Sequence, residues 1–203
     1  MFTGIVQSLG TVGDVTRHGN DLSLEIDLAD LVTEKINIGD SIAVNGVCLT
    51  IVGFENGAAR FDVSTETLSC SLLGSMQSGQ KVNLELAMLP DTRFGGHIVS
   101  GHVDGLGVLM TTSADERSTR MTFSLEQALG KYIAPKGSIC IDGISLTVNG
   151  VKDDDEHTHF DVNIVPHTLK VTTLGQLNTG RQVHIEVDMI ARYLERLLNN
   201  SKT

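Results

Sequence analysis

Ser41-Ile42-Ala43-Val44-Asn45-Gly46-Val47-Cys48-Leu49-Thr50 occurs in this chain in two versions. The second, Ser138-Ile139-Cys140-Ile141-Asp142-Gly143-Ile144-Ser145-Leu146-Thr147, lies 97 residues later, and five of the ten positions are identical. Working outward, other blocks return in the same order. Phe2-Thr3-Gly4-Ile5-Val6 lines up with Val99-Ser100-Gly101-His102-Val103, again at 97, and Phe61-Asp62-Val63 with Phe160-Asp161-Val162 at 99. Thr67-Leu68, Leu73-Gly74, Gly79, Val82 and Glu85 return as Thr168-Leu169, Leu174-Gly175, Gly180, Val183 and Glu186 at 101. Self-similarity in unchanged order marks a tandem duplication. The drift in offset fits small insertions, one of them the acidic loop Asp153-Asp154-Asp155-Glu156.

Each copy reads as β-structure. Leu22, Leu24, Ile26 and Leu28 alternate with polar residues, as do Val82, Leu84 and Leu86, and Val183, Ile185 and Val187. That period suits half-buried strands. Ser41 to Val52 and Ser138 to Val148 read as β-rich runs. Turns are expected at Gly39-Asp40, Asn56-Gly57, Asn149-Gly150 and Thr179-Gly180. Short helices are expected near Glu66 to Leu73 and Thr168 to Leu174. Many short strands with such turns predict an all-β chain of two tandem six-stranded Greek-key β-barrels. The domains are residues 1–89 and 90–187, divided near Leu89-Pro90-Asp91-Thr92-Arg93, where a proline and polar residues break the pattern. Residues 188–203 read as a C-terminal helix, because Ile190, Tyr193, Leu194, Leu197 and Leu198 recur at helical spacing. That stripe has no counterpart in the first copy and suits either its own barrel or a contact between chains.

Composition excludes several classes. With 203 residues, 40% of them hydrophobic and 20% charged, the chain can build packed domains. A net charge of -10 without a basic stripe argues against nucleic acid. No run of about 18 apolar residues occurs, so no membrane span is expected. The N-terminus lacks the basic and apolar regions of a signal peptide. Cys48, Cys70 and Cys140 are an odd, widely spaced set. They outline neither a disulfide framework nor a zinc site, and suit the reduced cytosol. His97 and His102 lack a third ligand, so no metal is expected.

Four motifs carry a resemblance that covers the whole chain. They are Met1-Phe2-Thr3-Gly4-Ile5-Val6-Gln7, Asn45-Gly46-Val47-Cys48-Leu49-Thr50, Gly95-Gly96-His97-Ile98-Val99-Ser100-Gly101-His102 and Ile141-Asp142-Gly143-Ile144-Ser145-Leu146-Thr147. Together they resemble the riboflavin synthase family. Non-catalytic cousins, the lumazine proteins, share the start but depart at Cys48 and at the Gly95 to His102 run, so the resemblance favours the enzyme.

The resemblance implies a cofactor-free, cytoplasmic transferase that dismutates two 6,7-dimethyl-8-ribityllumazine molecules into riboflavin and 5-amino-6-ribitylaminouracil. It implies a homotrimer joined by the terminal helices and an active site between the N-terminal barrel of one chain and the C-terminal barrel of another, and it leaves open an association with lumazine synthase. Catalytic roles are expected of Cys48, His102, Asp142, Ser145, Thr147 and Asp188, the last being also a candidate helix cap. Cys48 or a water would add to one ring and His102 would move protons. Asp142 and Ser145 would position or polarise the other ring. Ligand contacts are expected from Gly4, Ile5, Val6, Ser41, Cys48, Leu49, Thr50, Asp62, Val63, Ser64, Thr65, Glu66, Thr67, Gly101, His102, Val103, Lys136, Ser145, Leu146, Thr147, Ile164, Val165, Pro166, His167, Thr168 and Leu169. At His167 the second copy departs from the Glu66 of the first. Cys70 and Cys140 read as structural, and Glu85 and Glu186 as strand-end charges.

Overall fold

The computed structural model describes residues 1–31 and 36–200, without the side chain of Asn200. The strands β1 (Ser8–His18), β2 (Asp21–Asp27), β3 (Ser41–Val44), β4 (Val47–Glu55), β5 (Ala58–Val63) and β6 (Lys81–Leu86) form one closed barrel. Their counterparts β7 (Gly105–Asp115), β8 (Ser118–Glu126), β9 (Ser138–Ile141), β10 (Ile144–Asp153), β11 (His157–Ile164) and β12 (Gln182–Val187) form the second. The neighbour order is β1-β2-β5-β4-β3-β6 in the first barrel and β7-β8-β11-β10-β9-β12 in the second, all antiparallel. In each, three hairpin-linked strands are joined by a longer connection to a fourth that lies beside the first of them, which is the Greek key. Closure leaves no free sheet edge.

Alternation decides which side chains fill each barrel. Leu22, Leu24, Ile26, Ile42, Leu49, Ile51 and Phe61 point inward in the first. Phe123 and Phe160 stack in the second with ring centroids 5.6 Å apart. Burying each such side chain contributes about 1.5–3 kcal/mol before chain entropy is subtracted. The short helices are α1 (Thr65–Cys70), α2 (Gln127–Gly130) and α3 (Pro166–Val171), and the chain ends in α4 (Met189–Asn200). Single 3-10 turns at Leu73–Ser75 and Thr173–Gln176 follow α1 and α3. No helix among the described residues is long and apolar enough to cross a membrane.

One sequence expectation, the turn at Asn149-Gly150, needs correction. Each of the two β-rich runs is a hairpin bent at Asn45-Gly46 or Asp142-Gly143. Both residues of each turn have positive φ, 45° and 81° in the first and 45° and 80° in the second. Asn-Gly and Asp-Gly favour this two-residue turn because its twist matches that of the strands. Asn149-Gly150, by contrast, is no turn. It lies inside β10, where the register against β11 shifts, and its glycine serves a bulge.

The barrels meet around a pseudo-two-fold axis. The two hairpin tips touch, so that a Cβ on Gly46 would lie 2.7 Å from the Gly143 nitrogen. Asn45 Oδ1 accepts from Asn83 N (2.7 Å), and at the equivalent place Asp142 Oδ1 accepts from His184 N (2.8 Å). Asn83 Nδ2 donates to Asp142 O (2.9 Å), and His184 Nδ1 contacts Asn45 O at 2.8 Å. His184 Nε2 accepts from Leu72 N at 2.7 Å, so the other ring nitrogen carries the proton and the ring is neutral. Burial pushes its pKa down to about 4. A small apolar core of Phe2, Ala43, Val99 and Cys140 completes the interface, which gives Cys140 a packing role.

Candidate functional site: two clefts closed by exchanged segments

Two short segments cross between the barrels. Phe2 and Val99 pair as an isolated antiparallel bridge on the pseudo-axis. Beyond it, Gly4 O accepts from Ser145 N of the second barrel (2.8 Å), and Val6 packs on the second core. Gly101 O accepts from Cys48 N of the first barrel (2.8 Å), and Val103 packs on the first core. Each segment then returns to its own barrel. Glycine is required at both crossings: φ is +76° at Gly4 and +82° at Gly101. A Cβ would meet the Ser145 or Cys48 Cβ at 2.6 Å.

The crossing points lie where the barrel wall opens. β4 pairs with β3 along Val47 to Thr50 but with β5 only from Ile51 onward. In a two-residue hairpin Cys48 occupies a non-hydrogen-bonded position, so its N–H points away from β3. Thr50, two residues on, turns its backbone groups the same way. Its side chain is exposed, as are those of Asp62, Ser64, Thr65 and Glu66. Ser64 caps α1 through Thr67 N (3.3 Å). Ser41 faces Thr50 across the ladder, and His102 and Val103 arrive from the other barrel. Leu49 and Val63 turn into the core, so of these two only the main chain is offered to the cleft.

The second cleft repeats the frame with other side chains. Ser145 replaces Cys48, and Thr147, exposed, replaces Thr50. Val165 and Pro166 open α3 without a side-chain cap, followed by His167, Thr168 and Leu169. Ile164 belongs to the core and Leu146 packs against it. Lys136 holds φ +68°, where the first copy has Gly39 at +97°. Ile5, 45% exposed, comes from the first barrel.

His97 was not among the residues singled out for this site, yet its Nδ1 lies 2.7 Å from Ser145 Oγ. Its Nε2 is buried without a hydrogen-bond partner. Burial lowers the pKa of His97, and the Asp188 charge partly restores it. Asp188 also accepts from Ile190 N at 3.0 Å, at the start of α4. His97 and His102 stand in two different places, since His102 lies exposed near the first crossing and lines a groove of about 400 Å³ at the base of α4 with Arg192 and Tyr193.

Asp142 is placed apart from both clefts. It lines a separate groove between the barrels with Asn45, Lys81 and Arg181. Its carboxyl is buried, which pushes its pKa up to about 7. Its position is that of a hairpin-turn residue bonding β12, not that of a group facing Ser145 and Thr147. Glu85 and Glu186 are buried at 4% and 5% exposure, not strand-end charges in solvent. No cluster of three metal-ligating side chains occurs among the described residues.

The chain matches the lumazine binding domain family twice, over residues 3–87 and 100–188. It is 46% identical to riboflavin synthase of Photobacterium leiognathi over 198 residues, 98% of this chain and 89% of that one. It is 39% identical to riboflavin synthase of Bacillus subtilis, covering 100% and 94% of the two chains. With riboflavin synthase of Mycobacterium bovis it shares 41% identity over 99% of this chain and 100% of the other. The fold is also that of LumP, solved in complex with 6,7-dimethyl-8-(1'-D-ribityl) lumazine, with a TM-score of 0.81 at 24% identity over 92% of this chain and 99% of that one. Two lumazine-binding repeats and full-length identity of this order place the chain in the riboflavin synthase family.

Proposed function

We propose that the protein converts two molecules of 6,7-dimethyl-8-ribityllumazine into riboflavin and 5-amino-6-ribitylaminouracil by moving a four-carbon unit. The observation that carries this is a pair of clefts alike in frame and unlike in chemistry. The shared frame suits two copies of one heterocycle. Backbone groups at Thr50 and Thr147 and the short hydroxyls around them match the pyrimidine edge and the ribityl chain. The differing residues suit different fates: Cys48 and His102 serve the first cleft, Ser145 and His97 the second.

The chemistry follows. The 7-methyl protons of the lumazine are acidic because the anion is delocalised over an electron-poor ring. His97, held neutral by burial, accepts that proton through Ser145. Cys48, or a water beside it, adds to the partner ring, and His102 moves protons there. Holding the rings stacked supplies a further share of the rate. Asp188 tunes His97 electrostatically and starts α4.

The assembly we propose is a homotrimer. Ile190, Tyr193, Leu194 and Leu197 on α4 are 54–69% exposed. The helix is anchored through its other side chains, Arg192 to Asp104 and Glu195 to Lys131 and Tyr132. That leaves the apolar stripe for a second copy and brings a cleft of one chain against a cleft of the next. The three free cysteines suit a cytoplasmic setting.

Adding the purified protein to the lumazine should produce the yellow flavin absorbance. A ligand carrier would shift the lumazine spectrum without forming flavin. Because His97 acts neutral and its pKa is lowered, turnover should persist on the acid side of the ordinary histidine range. His97→Gln should cut turnover roughly ten- to hundredfold and flatten that acid limb. An unchanged pH profile in His97→Gln would remove this histidine from the mechanism.

A further inference from the structure

Glu85 and Glu186 occupy equivalent places on β6 and β12 and do equivalent work. Glu85 Oε1 accepts from Thr3 N (2.7 Å) and Thr3 Oγ1 (2.7 Å), and its Oε2 from Gly4 N (2.9 Å). Glu186 Oε1 accepts from Ser100 N (2.6 Å) and Ser100 Oγ (2.7 Å), and its Oε2 from Gly101 N (3.0 Å). Two successive backbone N–H groups converge because the glycine has positive φ, and together they form an anion-binding concavity. A buried carboxylate fills each one. Desolvation raises both pKa values and the hydrogen bonds from the segment oppose it. Three charge-assisted bonds fix a stretch that makes no sheet of its own.

The geometry is crossed. Glu85 stands on the first barrel, but the residues it aims, Gly4, Ile5 and Val6, lie against Ser145 and the second core. Glu186 stands on the second barrel, but Gly101, His102 and Val103 lie against Cys48 and the first core. We infer that Glu85 and Glu186 are positioning residues, each setting the ligand cleft of the opposite barrel. This rests on the functional reading above and goes beyond it. Each barrel holds the closing wall of its neighbour's cleft, so neither cleft is complete on its own barrel. The mutual dependence couples the two halves of a reaction that needs both clefts filled.

The test reads each cleft separately. Iodoacetamide labelling at Cys48, resolved by mass spectrometry, reports the first cleft, and the thiol introduced by Ser145→Cys reports the second. Exposed Cys70 serves as a control whose labelling ligand should not alter. The probe is riboflavin, titrated against the labelling rate. Glu186→Gln should raise the riboflavin concentration needed to protect Cys48 by tenfold or more and spare the second cleft. Glu85→Gln should do the reverse. If either glutamine variant fails to fold, Ser100→Ala and Thr3→Val remove only the hydroxyl donor and should give the same pattern at about two- to fivefold. Equal weakening of both clefts by each variant, weakening of the variant's own barrel, or no change would overturn the inference. Absence of protection in the otherwise unaltered protein would instead overturn the functional reading, and the inference with it.

Discussion

Replacing Asp142 by asparagine is expected to stabilise the protein by up to about 4 kcal/mol at pH 8 to 9, and by almost nothing near pH 4. The carboxyl's folded pKa is raised from 3.8 to about 7 by burial. A group raised in this way favours the folded state fully only below its unfolded value. That contribution disappears as pH rises through the folded value, because the buried group must then ionise. Above pH 7 the folded protein carries a desolvated charge that neutral His184, 3.4 Å away, does not offset. Asparagine keeps the acceptor for His184 N and the positive φ, and Asn45 already shows the arrangement on the other side of the axis. Thermal melts of both proteins from pH 4 to 9 check this. A difference independent of pH, or a destabilised variant at pH 8, would show that the carboxylate is not buried as described. Flavin formation should survive the change, since Asp142 faces neither cleft.

Gly101→Ala should reduce flavin formation more than a hundredfold and destabilise the fold by roughly 3 kcal/mol. An alanine at φ +82° is strained, and its Cβ would stand 2.6 Å from the Cys48 Cβ and 2.9 Å from the Phe2 ring. Phe2 is fully buried and has no room to move, and the Cys48 backbone is tied to Gly101 O by a hydrogen bond of 2.8 Å. The crossing segment must therefore lift, taking His102 and Val103 with it. Gly39→Ala is the control. Its φ of +97° carries a similar backbone penalty, but nothing lies within 4 Å of the added carbon. It should cost about 1 kcal/mol and leave turnover largely intact. Melting temperatures and initial rates of both variants decide the matter. Equal effects would mean that the segment's contacts do not shape the cleft.

The architecture was readable because duplication writes the same signals twice. Glycines, turns and apolar alternation recur at nearly fixed offsets, and each barrel follows from them. The hairpins at Asn45-Gly46 and Asp142-Gly143 carried their turn signal openly, but it was masked by the β-branched residues on both sides. Asn149-Gly150 carries the same dipeptide and forms a bulge, because its strand continues along β11. A two-residue signal does not reveal whether the chain reverses.

The site was legible only in part. Cys48 and Ser145 stand at equivalent crossings, as the repeat alignment suggests. The glutamates were misjudged because alternation puts Glu85 and Glu186 on the outer face of their strands, and only the presence of a second barrel makes that face an interior. Their recurrence in both copies was the one available signal. His97 escaped because the 97-residue offset would place its counterpart before Met1, so comparing the copies could not flag it. Asp142 looked catalytic because it differs from Asn45. The structure shows that each side chain bonds a strand of its own barrel beside the interface, so the change bears on charge at the interface.

The most direct measurement is the binding stoichiometry of a lumazine lacking the 7-methyl group, which cannot serve as carbon donor. Equilibrium titration of the intact protein should reach two molecules per chain. Saturation at one molecule per chain would contradict the account, because one of the two exchanged crossings would then close over nothing.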